Sequence, residues 1–119
     1  MIGTTGHDEA GRGELARIAE SIPIVLAPNM SLGVNLLFKL AELAARALDA
    51  GYDAEIFEAH HRHKVDAPSG TALGLGQAVA RGRGTTLEQS LLPPRQGATG
   101  PRPAGGIGFA VVRGGDIVG

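Results

Sequence analysis

The strongest periodic signal in the chain runs from residue 32 to residue 50. Its polar positions are Asn35, Lys39, Glu42, Arg46 and Asp49, spaced by four, three, four and three, which gathers them into one narrow stripe on a helix. Apart from Gly33, the remaining positions are Leu, Val, Phe or Ala. A helix with so little polar surface needs cover on most sides, so the pattern predicts a sheet beneath it and another subunit or further chain above. Gly51 stands at the C′ place where such a helix ends. Upstream, Ala10, Leu15, Ile18 and Ala19 give residues 8–20 a helical pattern weakened by Gly11 and Gly13, with Asp8 or Thr5 as the cap. Ile24-Val25-Leu26 reads as a short buried strand closed by Ala27-Pro28-Asn29.

Past Tyr52-Asp53, residues 54–60 read as a strand that runs into a charged cluster. Residues 70–81 predict a second helix, opened by Pro68-Ser69, with Ala72, Leu75 and Val79 on one face. A Gly/Pro/Arg-rich loop over 84–105 follows, of a length that points to a functional role. Ile107, Phe109 and Val111 alternate with Gly108, Ala110 and Val112, the period of a strand. Strands alternating with helices predict an α/β fold, and the opening segment has the βαβ grammar of a nucleotide-binding sheet.

Composition narrows the function classes. Hydrophobic residues are 43%, charged residues 19% and the net charge is −1, a balance that suits a soluble globular chain. It gives no electrostatic case for a nucleic-acid or polybasic membrane partner. The absence of cysteine excludes disulfide scaffolds, thiolate zinc sites and cysteine catalysis. No apolar run approaches the roughly 20 residues of a membrane span. The opening residues lack the basic and apolar regions of a secretory signal, so a cytoplasmic setting is expected. With only Phe38, Tyr52, Phe57 and Phe109 as aromatics, the core must rest on Leu, Val, Ile and Ala.

Candidate chemistry concentrates in residues 58–71, Glu-Ala-His-His-Arg-His-Lys-Val-Asp-Ala-Pro-Ser-Gly-Thr. Three readings compete for it. His60, His61 and His63 could ligate zinc, but the interleaved Arg62 and Lys64 repel a cation. A solvated basic loop without a specific ligand is the second. The third is an anion site with proton-transfer groups, since imidazole exchanges a proton near neutral pH and lysine and arginine hold carboxylates. Pro68-Ser69-Gly70-Thr71 favours the third. It opens a helix, whose first amides and positive dipole end attract anions; Gly70 permits close approach and Thr71 adds a hydroxyl. Plain capping by Ser69 is compatible with that site. A small ligand with more than one carboxylate suits the pair of features.

The run from Glu58 to Ala72 closely resembles the signature of the dihydrodipicolinate (4-hydroxy-tetrahydrodipicolinate) reductase family of bacterial lysine and diaminopimelate synthesis. The likeness extends to Ile2-Gly3-Thr4-Thr5-Gly6, to Ala27-Pro28-Asn29-Met30-Ser31, and to Gly106–Ala110 with Arg113 and Gly115–Gly119, in the family's order and spacing. It implies reduction of a cyclic unsaturated dicarboxylate, 4-hydroxy-tetrahydrodipicolinate, by NADH or NADPH. His60 aligns with the catalytic histidine and Lys64 with a second proton donor. His61, Gly70 and Thr71 align with substrate-binding positions. Gly3, Thr4, Thr5, Ala27, Pro28, Asn29 and Met30 align with loops bordering the nicotinamide of the cofactor. Arg62 and His63 would raise the local positive potential toward an acidic substrate. The family is typically a homotetramer with the substrate domain's sheet at the interface, which would cover the apolar helix.

The resemblance also implies a division: residues 1–30 as the end of a Rossmann-type nucleotide-binding domain and hinge, and residues 31–119 as an α+β substrate-binding and oligomerisation domain with a mixed sheet and covering helices. The family's glycine-rich cofactor loop has no counterpart here. Gly11-Arg12-Gly13-Glu14-Leu15-Ala16 fits a loose G-x-G-x-x-A pattern but follows no strand, and Gly74-Leu75-Gly76 lies within a helix. The chain therefore reads as a fragment, cut after Ile117-Val118-Gly119, that alone binds nucleotide poorly and turns over little. The competing class is a non-enzymatic α/β module that binds a dicarboxylate or a protein.

Overall fold

The computed structural model describes residues 1–4, 6–48 and 51–119. Thr5, Asp49 and Ala50 lie outside the described residues, and with them the alternative cap and the last polar position of the helical stripe. Six elements follow in order among the described residues: α1 (Glu9–Ala19), α2 (Leu32–Leu48), β1 (Ala54–His60), α3 (Gly70–Gly82), α4 (Leu87–Ser90) and β2 (Ile107–Arg113).

The Asp8 carboxylate caps α1 by accepting the Gly11 N–H at 2.8 Å, so the G-x-G-x-x-A pattern sits inside a helix. This helix joins Ile2 to Leu26, which meet in a single parallel bridge. The expected buried strand at 24–26 is reduced to that bridge, and Val25 and Leu26 are 54% and 43% exposed. Parallel strands are buried by neighbours on both sides and both faces, and among the described residues only Ile2 pairs here.

β1 and β2 are parallel, in register from Ala54 with Ile107 to His60 with Arg113. α3 packs on this sheet, and α2 packs on the other side of α3. α2 therefore rests on a helix, not on the sheet that its apolar pattern predicts. As the middle layer, α3 is covered on two sides, and Ala72, Gly74, Gly76, Ala78 and Ala80 are all buried. The single Ala72–Leu75–Val79 face gives way to this two-sided burial. Its glycines set the spacing: a Cβ on Gly74 would lie 2.7 Å from the Phe38 ring of α2, and one on Gly76 2.7 Å from the Phe109 ring of β2. The core of Ala80, Leu87 and Ile107, flanked by Ile56, Val79 and Phe109, lies between α3 and the sheet. On α2, Leu32, Leu36 and Leu40 remain exposed.

The 84–105 segment carries more structure than its composition predicts. Thr86 and Gln89 form a capping box on α4. Arg102 then pins the segment to the beginning of β1, donating to Asp53 Oδ1 at 2.9 Å and to the Ala54 carbonyl at 2.8 Å. The long loop thus braces the end of the sheet remote from the histidines. Among the described residues no helix is long and apolar enough to cross a membrane.

Candidate functional site

Two strand ends and one helix beginning converge at the carboxyl edge of the sheet. Side chains two apart on a strand share a face, so Glu58 and His60 point together from the end of β1. His60 Nδ1 lies 2.5 Å from Glu58 Oε2. Arg113, in register with His60 on β2, holds the same carboxylate bidentately, at 2.8 Å to Oε2 and 2.7 Å to Oε1. A third donor comes from α3: the Ser69 N–H reaches Glu58 Oε1 at 3.0 Å. The Arg113 guanidinium, with help from His60 and the Ser69 amide, holds the Glu58 carboxyl down at about 2. Glu58 is thus an ionised, acceptor-only hub.

Ser69 organises the helix beginning. Its hydroxyl accepts the Ala72 N–H at 3.2 Å and its carbonyl the Leu73 N–H at 2.9 Å. The amides of Gly70 and Thr71 have no intrahelical partner, as expected for the first turn. The Thr71 hydroxyl accepts Asn29 Nδ2–H at 3.0 Å, while Asn29 Oδ1 accepts the Ser31 N–H at 2.8 Å. That second bond fixes which end of the amide faces Thr71. Because the Thr71 oxygen is already an acceptor there, its own O–H is left to donate elsewhere.

A cavity of about 730 Å³ lies against these groups, lined by Asn29, Phe57, His60, Thr71 and the Ile117–Gly119 segment among others. It unites His60 with Thr71. A smaller cavity of about 360 Å³ lies on the other side of the α3 beginning, bordered by Thr4, Gly6, Pro28 and Gly70. Of the nicotinamide-loop positions, Thr4 and Pro28 face this smaller cavity, Gly3 lies beside Met30, and the Ala27 N–H donates to the Ile2 carbonyl. Asn29 faces the larger one, and Thr5 lies outside the described residues.

Lys64 and His61 line neither cavity. Lys64 Nζ is 2.6 Å from Asp66 Oδ1, an ammonium partner that lowers the Asp66 carboxyl. The His61 and His63 rings lie 6.1 Å apart and tilted. Glu58 and Arg113 are the site residues that pattern reasoning missed. The i, i+2 spacing of Glu58 and His60 on a predicted strand was an available signal for the first. Arg113 depends on strand register, which no local pattern reports.

The family model for the C-terminus of dihydrodipicolinate reductase matches residues 33–119. A 4-hydroxy-tetrahydrodipicolinate reductase of Thiobacillus denitrificans is 68% identical over all 119 residues, which are 45% of its length. The reductase of the same name from Cupriavidus metallidurans is 61% identical over the same span, again 45% of its length. A solved structure, dipicolinate-bound dihydrodipicolinate reductase from Paenisporosarcina sp. TG-14, aligns with a TM-score of 0.53 and 34% identity, over 95% of this chain and 43% of that one. The chain thus spans a little under half the length of the relatives it matches. On this match, and with the Glu58–Thr71 run folded as a strand end facing a helix beginning, the chain belongs to the dihydrodipicolinate reductase family.

Proposed function

We propose that this chain forms the substrate-binding and proton-donating part of a 4-hydroxy-tetrahydrodipicolinate reductase. The observation that carries this reading is the shared cavity of His60 and Thr71 at the amino end of α3. One carboxylate of a ring dicarboxylate takes the Gly70 and Thr71 amides, the Thr71 hydroxyl and the positive end of the helix. His60 faces the ring and gives it a proton as negative charge develops there. His61 holds the second carboxylate. Lys64 serves as a second proton donor, a role that requires its ammonium to exchange Asp66 for substrate.

The smaller cavity is at the low end of ligand sites, about 300–1,000 Å³, and fits the nicotinamide end of a dinucleotide rather than the whole. Gly3, Thr4, Pro28 and Met30 would border that ring, with residues 1–30 as the edge of a nucleotide-binding domain and 31–119 as the substrate domain. When bound, NADH or NADPH supplies the hydride. Exposed Phe57 on β1 and Val112 on β2, which share the sheet face turned from α3, suit assembly of several copies through the sheet, in a cytoplasmic homotetramer.

The test is titration of the full-length protein with pyridine-2,6-dicarboxylate, with and without nicotinamide nucleotide, alongside turnover. Saturable binding that tightens with nucleotide, and substrate-dependent NAD(P)H oxidation, is the expected result. Dicarboxylate binding without any turnover would favour the non-enzymatic module. In the same titration Asn29→Ala frees the Thr71 hydroxyl to turn, and binding weakens about tenfold, the worth of one oriented hydrogen bond to a charged group.

A further inference from the structure

Within the reductase reading, His60 can exchange a proton with a ligand through either ring nitrogen, and that chemistry alone does not select one. We propose that Glu58 is a positioning residue that fixes the His60 ring with hydrogen on Nδ1 and presents Nε2 to the cavity. This inference rests on the proposed function for its catalytic meaning but not for its geometry.

Besides His60, two partners hold the Glu58 carboxylate through three hydrogen bonds. Arg113 closes a two-point fork on it from the neighbouring strand, and the Ser69 amide reaches it from the helix beginning. A bidentate guanidinium fixes the plane as well as the position of a carboxylate. Arg113 is itself tied down, donating to the Asp66 carbonyl at 2.7 Å. The carboxylate therefore cannot swing to follow the imidazole; the imidazole must align to it. An ionised carboxylate only accepts, so a ring nitrogen 2.5 Å from Oε2 must carry a hydrogen. That nitrogen is Nδ1.

The opposite edge of the ring settles the rest. With Nδ1 held by Glu58, Nε2 is the nitrogen left for a ligand on a side chain that lines the larger cavity. Its neighbour there is Gly119, where a Cβ would lie 2.8 Å from Nε2 and Cδ2, so the missing side chain keeps that edge from being covered. Proton exchange with a bound ligand then occurs at Nε2, with Nδ1–H held by Glu58 throughout. The arrangement follows the general logic of a carboxylate that sets the tautomer of a reacting histidine. Arg113 acts one step further back, by holding Glu58.

The test reads the tautomer directly. Long-range nitrogen–proton correlation spectra of the protein labelled with ¹⁵N-histidine, with His60→Gln to assign the signals, are recorded above the titration range of imidazole. The expected pattern is a protonated Nδ1 and an unprotonated Nε2 on His60. Hydrogen on Nε2 overturns the proposal, whatever the variants do. In Glu58→Gln the amide can donate as well as accept, so the pattern shifts toward Nε2–H. In the full-length protein kcat then falls at least about tenfold, with dicarboxylate affinity changed less than about threefold. An unchanged tautomer together with an unchanged kcat in Glu58→Gln also overturns it. Correct tautomers in a full-length protein that reduces no dicarboxylate would sink the reductase reading and leave the positioning role standing.

Discussion

His60→Gln in the full-length protein lowers kcat by at least about 100-fold, the usual worth of a positioned general acid. Its effect on dicarboxylate affinity stays within about threefold. The split follows from the division of labour in the proposed reading: the carboxylates go to the Gly70 and Thr71 amides, the Thr71 hydroxyl and His61, whereas His60 gives the ring its proton, with Lys64 as the second donor. Glutamine retains a hydrogen-bonding amide near Glu58 but carries no exchangeable proton of suitable acidity. Steady-state kinetics with a separate binding titration measures the two quantities. A kcat near that of the parent protein, or a loss confined to KM, would remove His60 from the proposed chemistry.

Arg113→Ala should be the most destabilising polar substitution at the site near neutral pH. It strips the fork from a Glu58 side chain that is only 9% exposed and leaves the negative charge with the Ser69 amide and His60. The pH dependence has a definite sign. The Glu58 carboxyl, held to about 2 from an ordinary 4.5, contributes stability that is present above the ordinary value and is lost as pH falls through the folded one. Arg113 is the largest cause of that depression. The gap between parent and variant is therefore widest near pH 7 and narrows by about pH 3, as urea unfolding at the two pH values reads. An equal gap at both would show that the fork carries no proton-linked stability.

Much of the site was legible in the sequence because its pieces are local. The strand over 54–60, the helix opened by Ser69 and the basic run between them are contiguous, and each carries its own signal in period and capping. The alternation of Ile107, Phe109 and Val111 likewise marks β2. What escaped is what depends on packing. α3 is a middle layer because Gly74 and Gly76 admit Phe38 and Phe109, and a reading that follows large apolar side chains overlooks a face made of absent ones. Ile24-Val25-Leu26 has the composition of a buried strand, but burial comes from neighbours and not from the run itself. The Arg113–Glu58–Ser69 arrangement joins residues 58, 69 and 113 across a strand register and a helix beginning. Lys64 lies four residues from His60 and still serves a different partner, Asp66, because the turn after β1 carries it out of the cavity.

The most direct measurement is a crystal structure of the full-length protein with pyridine-2,6-dicarboxylate. It should show one carboxylate within hydrogen-bonding distance of the Thr71 hydroxyl and the first amides of α3, and His60 Nε2 turned to the ring. A dicarboxylate seated elsewhere, with Thr71 and His60 both untouched, would contradict the assignment of this cavity as the place where substrate is held and protonated.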